Sequence, residues 1–189
     1  MTKRQPMTQS PRIPPVRGKP DMAAEHHAIA DRVQAFFGAI GGPFGMLLHS
    51  PVLANQVLDV VEDMRVHTTV EAPLRALAIM ATVRERRMGY VWAAQVAYAR
   101  RVGVREEAID VIRAQGDTAS LPEVEREIID YARELAATEQ VSPARFEALR
   151  TRYGDRWLVE LTTSAQFYTF LCGVVNAFEV PIPEGGDRF

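Results

Sequence analysis

One cysteine, Cys172, stands in a chain of 189 residues, so no disulfide can form within it. Nor can a two-cysteine redox cycle run within one chain, which excludes peroxidase chemistry of that kind. This cysteine usage gives the cytoplasm as the expected compartment. No run of about eighteen apolar residues occurs, so no membrane span and no membrane partner are expected. The first residues carry Lys3, Arg4, Arg12, Arg17 and Lys19 without an apolar stretch, unlike a secretory signal. Basic charge is not in excess either. The 22 lysines and arginines are interleaved with 24 acids, for a net charge of −2. Binding of nucleic acid through counterion release is therefore not expected, and a helical transcription regulator ranks far below the other readings. The four histidines have no metal-ligand spacing, so neither a metal nor another cofactor is expected.

Apolar residues make up 47% of the chain and charged residues 24%, enough to bury a core without a metal or a disulfide. Pro6, Pro11, Pro14, Pro15 and Pro20 deny a helix to residues 1–21, because proline lacks the amide proton and restrains its predecessor. They predict an extended arm, either disordered or laid across a neighbouring subunit. The other end, Val180-Pro181-Ile182-Pro183-Glu184-Gly185-Gly186, reads the same way and gives a second tail over residues 181–189. Between them, residues 22–180 read as a single all-helical domain.

Apolar spacing of three or four residues marks the helices. Ile29, Val33, Phe36 and Phe37 form the first, which Gly38 and Gly41-Gly42-Pro43 stop. Leu53, Val57, Leu58, Val61 and Met64 mark a second after Pro51, and Leu74, Leu77, Ala78, Ala81 and Val83 a third near Pro73. A break at Met88-Gly89 precedes a fourth from Tyr90 to Arg101, ended by Gly103. Gly116 closes a short helix from Arg105 to Ala114. Ser120 to Glu123 resembles a capping box opening the next, and Ser142-Pro143 opens another. The last and longest runs from about Arg156 to Phe178. No strand-like alternation competes, and the fold class is all-α.

The fourth helix carries the candidate chemistry. Met88, Val91, Trp92, Gln95 and Ala99 share one face of it, apolar and aromatic with one amide. A buried glutamine needs partners or costs roughly 1–3 kcal/mol. Either Gln95 is tied to neighbouring backbone or side chains, or it lines a pocket and orients a substrate carbonyl or carboxylate. Tyr90, Tyr98 and Tyr168 are phenols that could donate a proton, or core aromatics whose hydroxyls reach the surface. His67, in the turn before the third helix, is a histidine that could serve as a base, or a surface histidine. In the run Arg84-Glu85-Arg86-Arg87, Arg87 or Arg84 could turn toward a carboxylated substrate, although such runs are commonly solvated.

The stretch Gly89-Tyr90-Val91-Trp92-Ala93-Ala94-Gln95-Val96-Ala97-Tyr98-Ala99-Arg100-Arg101-Val102-Gly103-Val104 resembles the signature helix of the carboxymuconolactone decarboxylase and alkyl hydroperoxidase D-like family. Leu48-His49-Ser50-Pro51-Val52-Leu53-Ala54 and Val175-Asn176-Ala177-Phe178-Glu179-Val180-Pro181 resemble that family's upstream and closing segments. Together these cover about Pro43 to Pro183. The resemblance implies a helical bundle, a trimer or hexamer, and a small-molecule substrate handled without cofactor. It also implies that the family's reactive positions are changed: its histidine falls on Gln95, its glutamate or second cysteine on Val91, its first cysteine on Met88, and an acid on Ala76. Glutamine and valine cannot relay protons near neutral pH. The resulting expectation is a divergent lyase or isomerase for a small carboxylated, lactone or enolisable substrate. In it Gln95 polarises a carbonyl and a tyrosine donates the proton, with Gln95, Tyr90 and His67 as the catalytic positions, while Trp92, Val91, Met88, Tyr98, Arg87 and Tyr168 bind. The alternative is a non-catalytic binding or scaffold protein.

Overall fold

A computed structural model describes residues 10–189. Nine α-helices and two single 3₁₀ turns, with no strand, make up the described residues. They are α1 (His27–Phe37), α2 (Gly42–Leu47), α3 (Pro51–Val66), α4 (Ala72–Glu85), α5 (Gly89–Arg101), α6 (Glu106–Ala114), α7 (Glu123–Thr138), α8 (Pro143–Tyr153) and α9 (Asp155–Ala177).

The bundle is built around α4. Every residue from Arg75 to Val83 is buried, so this helix has no solvent face and its apolar residues run all round. It packs chiefly against α7, α9 and α5. Leu158, Leu161, Ala165, Tyr168, Cys172 and Val175 make the buried stripe of α9 at three- or four-residue steps. At 23 residues and a mean hydropathy of 1.2, α9 is long and apolar enough to cross a membrane by length and composition. Here it is a core helix of the bundle, one stripe of it pressed on α4.

Helix boundaries depart from the sequence reading at three points. Gly42 and Pro43 open a short helix, α2, rather than only ending the previous one. Ser120 caps nothing: Pro122 is the N-cap of α7, with no side-chain cap bond. Gln115, not Gly116, takes the left-handed conformation that ends α6. Gly38 does end α1 at φ +82°, where a Cβ would be strained.

Both proline-rich ends pack on their own chain. Residues 1–9 lie outside the described residues, and the rest of the arm is docked on the body of its own chain. The Arg12 amide donates to Phe178 O at 2.9 Å, the Val16 amide donates to Gly45 O at 2.8 Å, and Val16 is buried in the core. Prolines exclude helix but leave the chain extended and able to dock. The C-terminal residues fold back as a strap over α5. Ile182 lies against Gly89, where an added Cβ would stand 2.8 Å from its Cδ1. Asp187 accepts from the Trp92 indole at 3.1 Å and from Arg113, and the Phe189 ring meets Trp92 edge-on.

The turn from α3 to α4 is fastened by Glu160 of α9. Its carboxylate accepts from the Thr69 amide at 2.6 Å, from the hydroxyls of Thr68 and Thr69, and from Arg156. Desolvation works to raise this carboxyl, but the four donors outweigh it and hold it at about 2. A folded-state value below the unfolded one gives stability that is present above the unfolded carboxylate range and is lost as pH falls toward 2. Glu160→Gln is therefore expected to cost roughly 1–3 kcal/mol at neutral pH, a gap to wild type that closes between about pH 5 and pH 2 in urea titrations. A gap independent of pH would reject this account.

Candidate functional site

A cavity of about 290 Å³ opens where α5 faces the ends of α1, α2, α3 and α9. Its volume is at the small end for ligand sites. Tyr90, Val91, Ala94, Gln95, Tyr98 and Arg101 contribute from α5. Those positions recur at one, three or four residues and cover one side of the helix. Across from them stand Phe37 and Phe44, then Val61 and Arg65 of α3, and Tyr168 of α9.

Gln95 is 3% exposed, and its Oε1 is buried without a hydrogen-bond partner. An acceptor left unpaired inside a protein costs about 1–3 kcal/mol, and such groups call for an explanation. The tie to neighbouring groups that would make this a purely structural glutamine is absent at that oxygen. The cavity it lines is where a ligand N–H or O–H would supply the missing donor.

The phenols are held by arginines. Arg75 on α4, 3% exposed, donates to Val70 O at 3.1 Å and to the Tyr98 hydroxyl at 3.0 Å. Arg65 donates to the Tyr168 hydroxyl at 2.8 Å. Because a guanidinium only donates, both phenol oxygens serve as acceptors there, and each O–H is left to donate elsewhere. Tyr90 is placed by close packing: its ring occupies the space a side chain at Gly42 would take. Burial pushes its phenol above the ordinary value, which keeps it protonated.

Five of the nine expected site residues meet at this cavity: Gln95, Tyr90, Val91, Tyr98 and Tyr168. The other four do not line it. Trp92 is fully buried on another side of α5, under the strap. At about 100° per residue, one step from Val91 carries a side chain a quarter-turn round the helix. Because α5 is covered on both of those sides, apolar spacing could not separate them. Met88 precedes the helix, its sulfur accepting from Asn176 Nδ2. Arg87 is exposed at φ +56°, and Arg84 instead donates to Arg113 O. His67 is exposed, bonded to Asp63 at 2.9 Å, in a separate groove. Among the described residues no histidine, cysteine or carboxylate lines the cavity. Cys172 is buried next to it on α9, its thiol pushed up by burial to about 12, so thiolate is scarce at neutral pH.

Sequence reading missed Arg65, Arg101 and Arg75. The signal was present for two of them: Arg65 prolongs the apolar stripe of α3 four residues after Val61, and Arg75 interrupts the apolar run of α4. A cation in such a place is either snorkelling or functional.

No family model matches the sequence, and no curated protein does. A solved structure does match. The chain shares its fold with the debrominase Bmp8. The TM-score is 0.71 over 90% of this chain and 91% of that one, at 16% identity, in a structure of a cysteine-to-alanine variant complexed with 2,3,4-tribromopyrrole. The architecture is thus an all-α helical bundle, the fold of that debrominase.

Proposed function

We propose that this protein is an enzyme of lyase or isomerase type that acts on a small carboxylated, lactone or enolisable substrate through its own side chains. The observation that carries the proposal is the unpartnered carboxamide oxygen of Gln95 in a cavity that also presents three phenols. The amide N–H of Gln95 polarises a substrate carbonyl, its Oε1 accepts from an O–H or N–H the substrate carries, and a tyrosine supplies the proton. Tyr98 and Tyr168 suit that role because their oxygens already accept from arginine, and Tyr90 because burial keeps it protonated. A fold shared with a debrominase supports small-molecule chemistry in a bundle of this shape. The tribromopyrrole in that structure is a planar ring with a single N–H donor, a size and polarity the aromatic walls here would accept.

The experiment follows carboxymuconolactone, β-keto acids and enol-lactones by absorbance. Wild type is expected to turn over at least one, and Gln95→Leu to lower kcat by about 100-fold or more. The same substitution removes an unpaired acceptor, so its melting temperature should equal or exceed that of wild type. Loss of activity only through unfolding would refute the role of Gln95. Should wild type process none of the panel, a binding protein without catalysis is the better reading. It is favoured by one observation: the absence of histidine, cysteine and carboxylate from the cavity.

Association of copies is part of the proposal. Val52 and Val66 on α3 and Val159 and Phe170 on α9 are exposed apolar side chains that a trimer or hexamer would cover.

A further inference from the structure

The cavity carries positive charge that no acid offsets. Two guanidiniums, Arg65 and Arg101, are among its lining residues, and no carboxylate is. Both converge on one ring, their Cζ atoms 5.0 and 5.7 Å from the centroid of Tyr98. Arg75 stands behind that ring with its Nη2 on the hydroxyl. Among the described residues none of the three has a carboxylate partner, whereas Arg32, Arg105, Arg113 and Arg145 each hold two. Arg75 is buried, Arg65 half-buried and Arg101 exposed, so these like charges are only partly screened by water; they repel, and an anion relieves the arrangement. Guanidinium geometry favours a planar carboxylate, which it grips with paired hydrogen bonds.

A second requirement comes from Gln95. Its orphaned Oε1, nine-tenths buried and more, accepts only from a donor. Between these two polar points the walls are aromatic: Phe37, Phe44, Tyr90 and Tyr168. Flat apolar walls stack best on a flat ligand. We infer that the cavity takes a small planar aryl or heteroaryl carboxylic acid bearing an O–H or N–H donor, with the carboxylate on Arg65 and Arg101 and the donor on Gln95. A neutral lactone would leave both guanidiniums unpaired. The inference rests on the cavity being the substrate site and narrows the class of substrate proposed for it.

Titration calorimetry on the full chain tests it with the three hydroxybenzoate isomers, the matching hydroxybenzamides and benzoate. At least one hydroxybenzoate should bind, and about tenfold or more tighter than its amide. Arg65→Met and Arg101→Met should each remove about that factor while leaving the amide unchanged, and Arg65→Lys should restore part of it by returning the charge. Gln95→Leu should erase the preference for hydroxybenzoate over benzoate. Circular dichroism melts establish that each variant is folded. Amides binding as tightly as acids, or methionine variants binding acids as wild type does, would overturn the ligand class and leave the cavity as a site for neutral substrates. Binding of neither acids nor amides would overturn the ligand class and the substrate-site reading together.

Discussion

Gly42→Ala is expected to destabilise the protein by about 2–5 kcal/mol, from two separate causes. Gly42 sits at φ +53°, where an L side chain is strained. An added Cβ would also stand 2.5 Å from Tyr90 Oη and 2.6 and 2.7 Å from two ring carbons, distances that real Cβ atoms do not tolerate. The ring must then swing away, and the open side is the cavity it lines. A chain of this size should lose roughly 5–15 °C in melting temperature. The two causes separate in a double-mutant cycle. With Tyr90→Ala as background only the backbone strain remains, so Gly42→Ala should cost about half as much or less. An equal cost in both backgrounds would show that the ring contact is not what fixes the glycine.

Trp92→Ala should be the more damaging substitution of α5, about 3–5 kcal/mol, although Trp92 does not reach the cavity. Its indole is fully buried, its N–H is bonded to Asp187, and its edge meets Phe189. Alanine leaves a void and loosens the strap, which Arg113 and Arg100 still hold at Asp187 and Arg84 at the Phe189 ring. Trp92→Phe keeps most of the apolar surface and loses the N–H bond, for about 1 kcal/mol. Removing residues 184–189 tests the same contact from the other side. In a Trp157→Phe background the remaining tryptophan should shift its emission to the red and become accessible to acrylamide. Unchanged emission after truncation would mean that the strap does not cover Trp92.

These two substitutions show which features are legible in one dimension. Glycine at 42 could be read as a helix break, but its reason is a tyrosine 48 residues on. The spacing of Trp92 placed it beside Gln95, yet the strap claims it. Regular spacing reports that a helix is buried, not what buries it. That is why α5, covered on two sides, misled the assignment of Trp92 and Met88 while Gln95, Val91 and Tyr98 fell on the cavity. His67 and Arg87 failed for a different reason: polar residues in turns carry no periodicity, so nothing local tells solvent from site.

What the sequence by itself determined is the all-α class, most helix limits and the placing of Gln95 on a buried face of α5, because these depend on residues within a turn or two of each other. Glycine, proline and apolar spacing act over that range. The tertiary structure alone decided the rest. It drew Arg65, Arg75 and Arg101 from three helices to one ring, left the Gln95 oxygen without a donor, and laid both proline-rich ends on their own bundle. Such convergence is set by packing between distant segments, where the cost of burying a charge or an unpaired oxygen is fixed only once the whole core has closed around it.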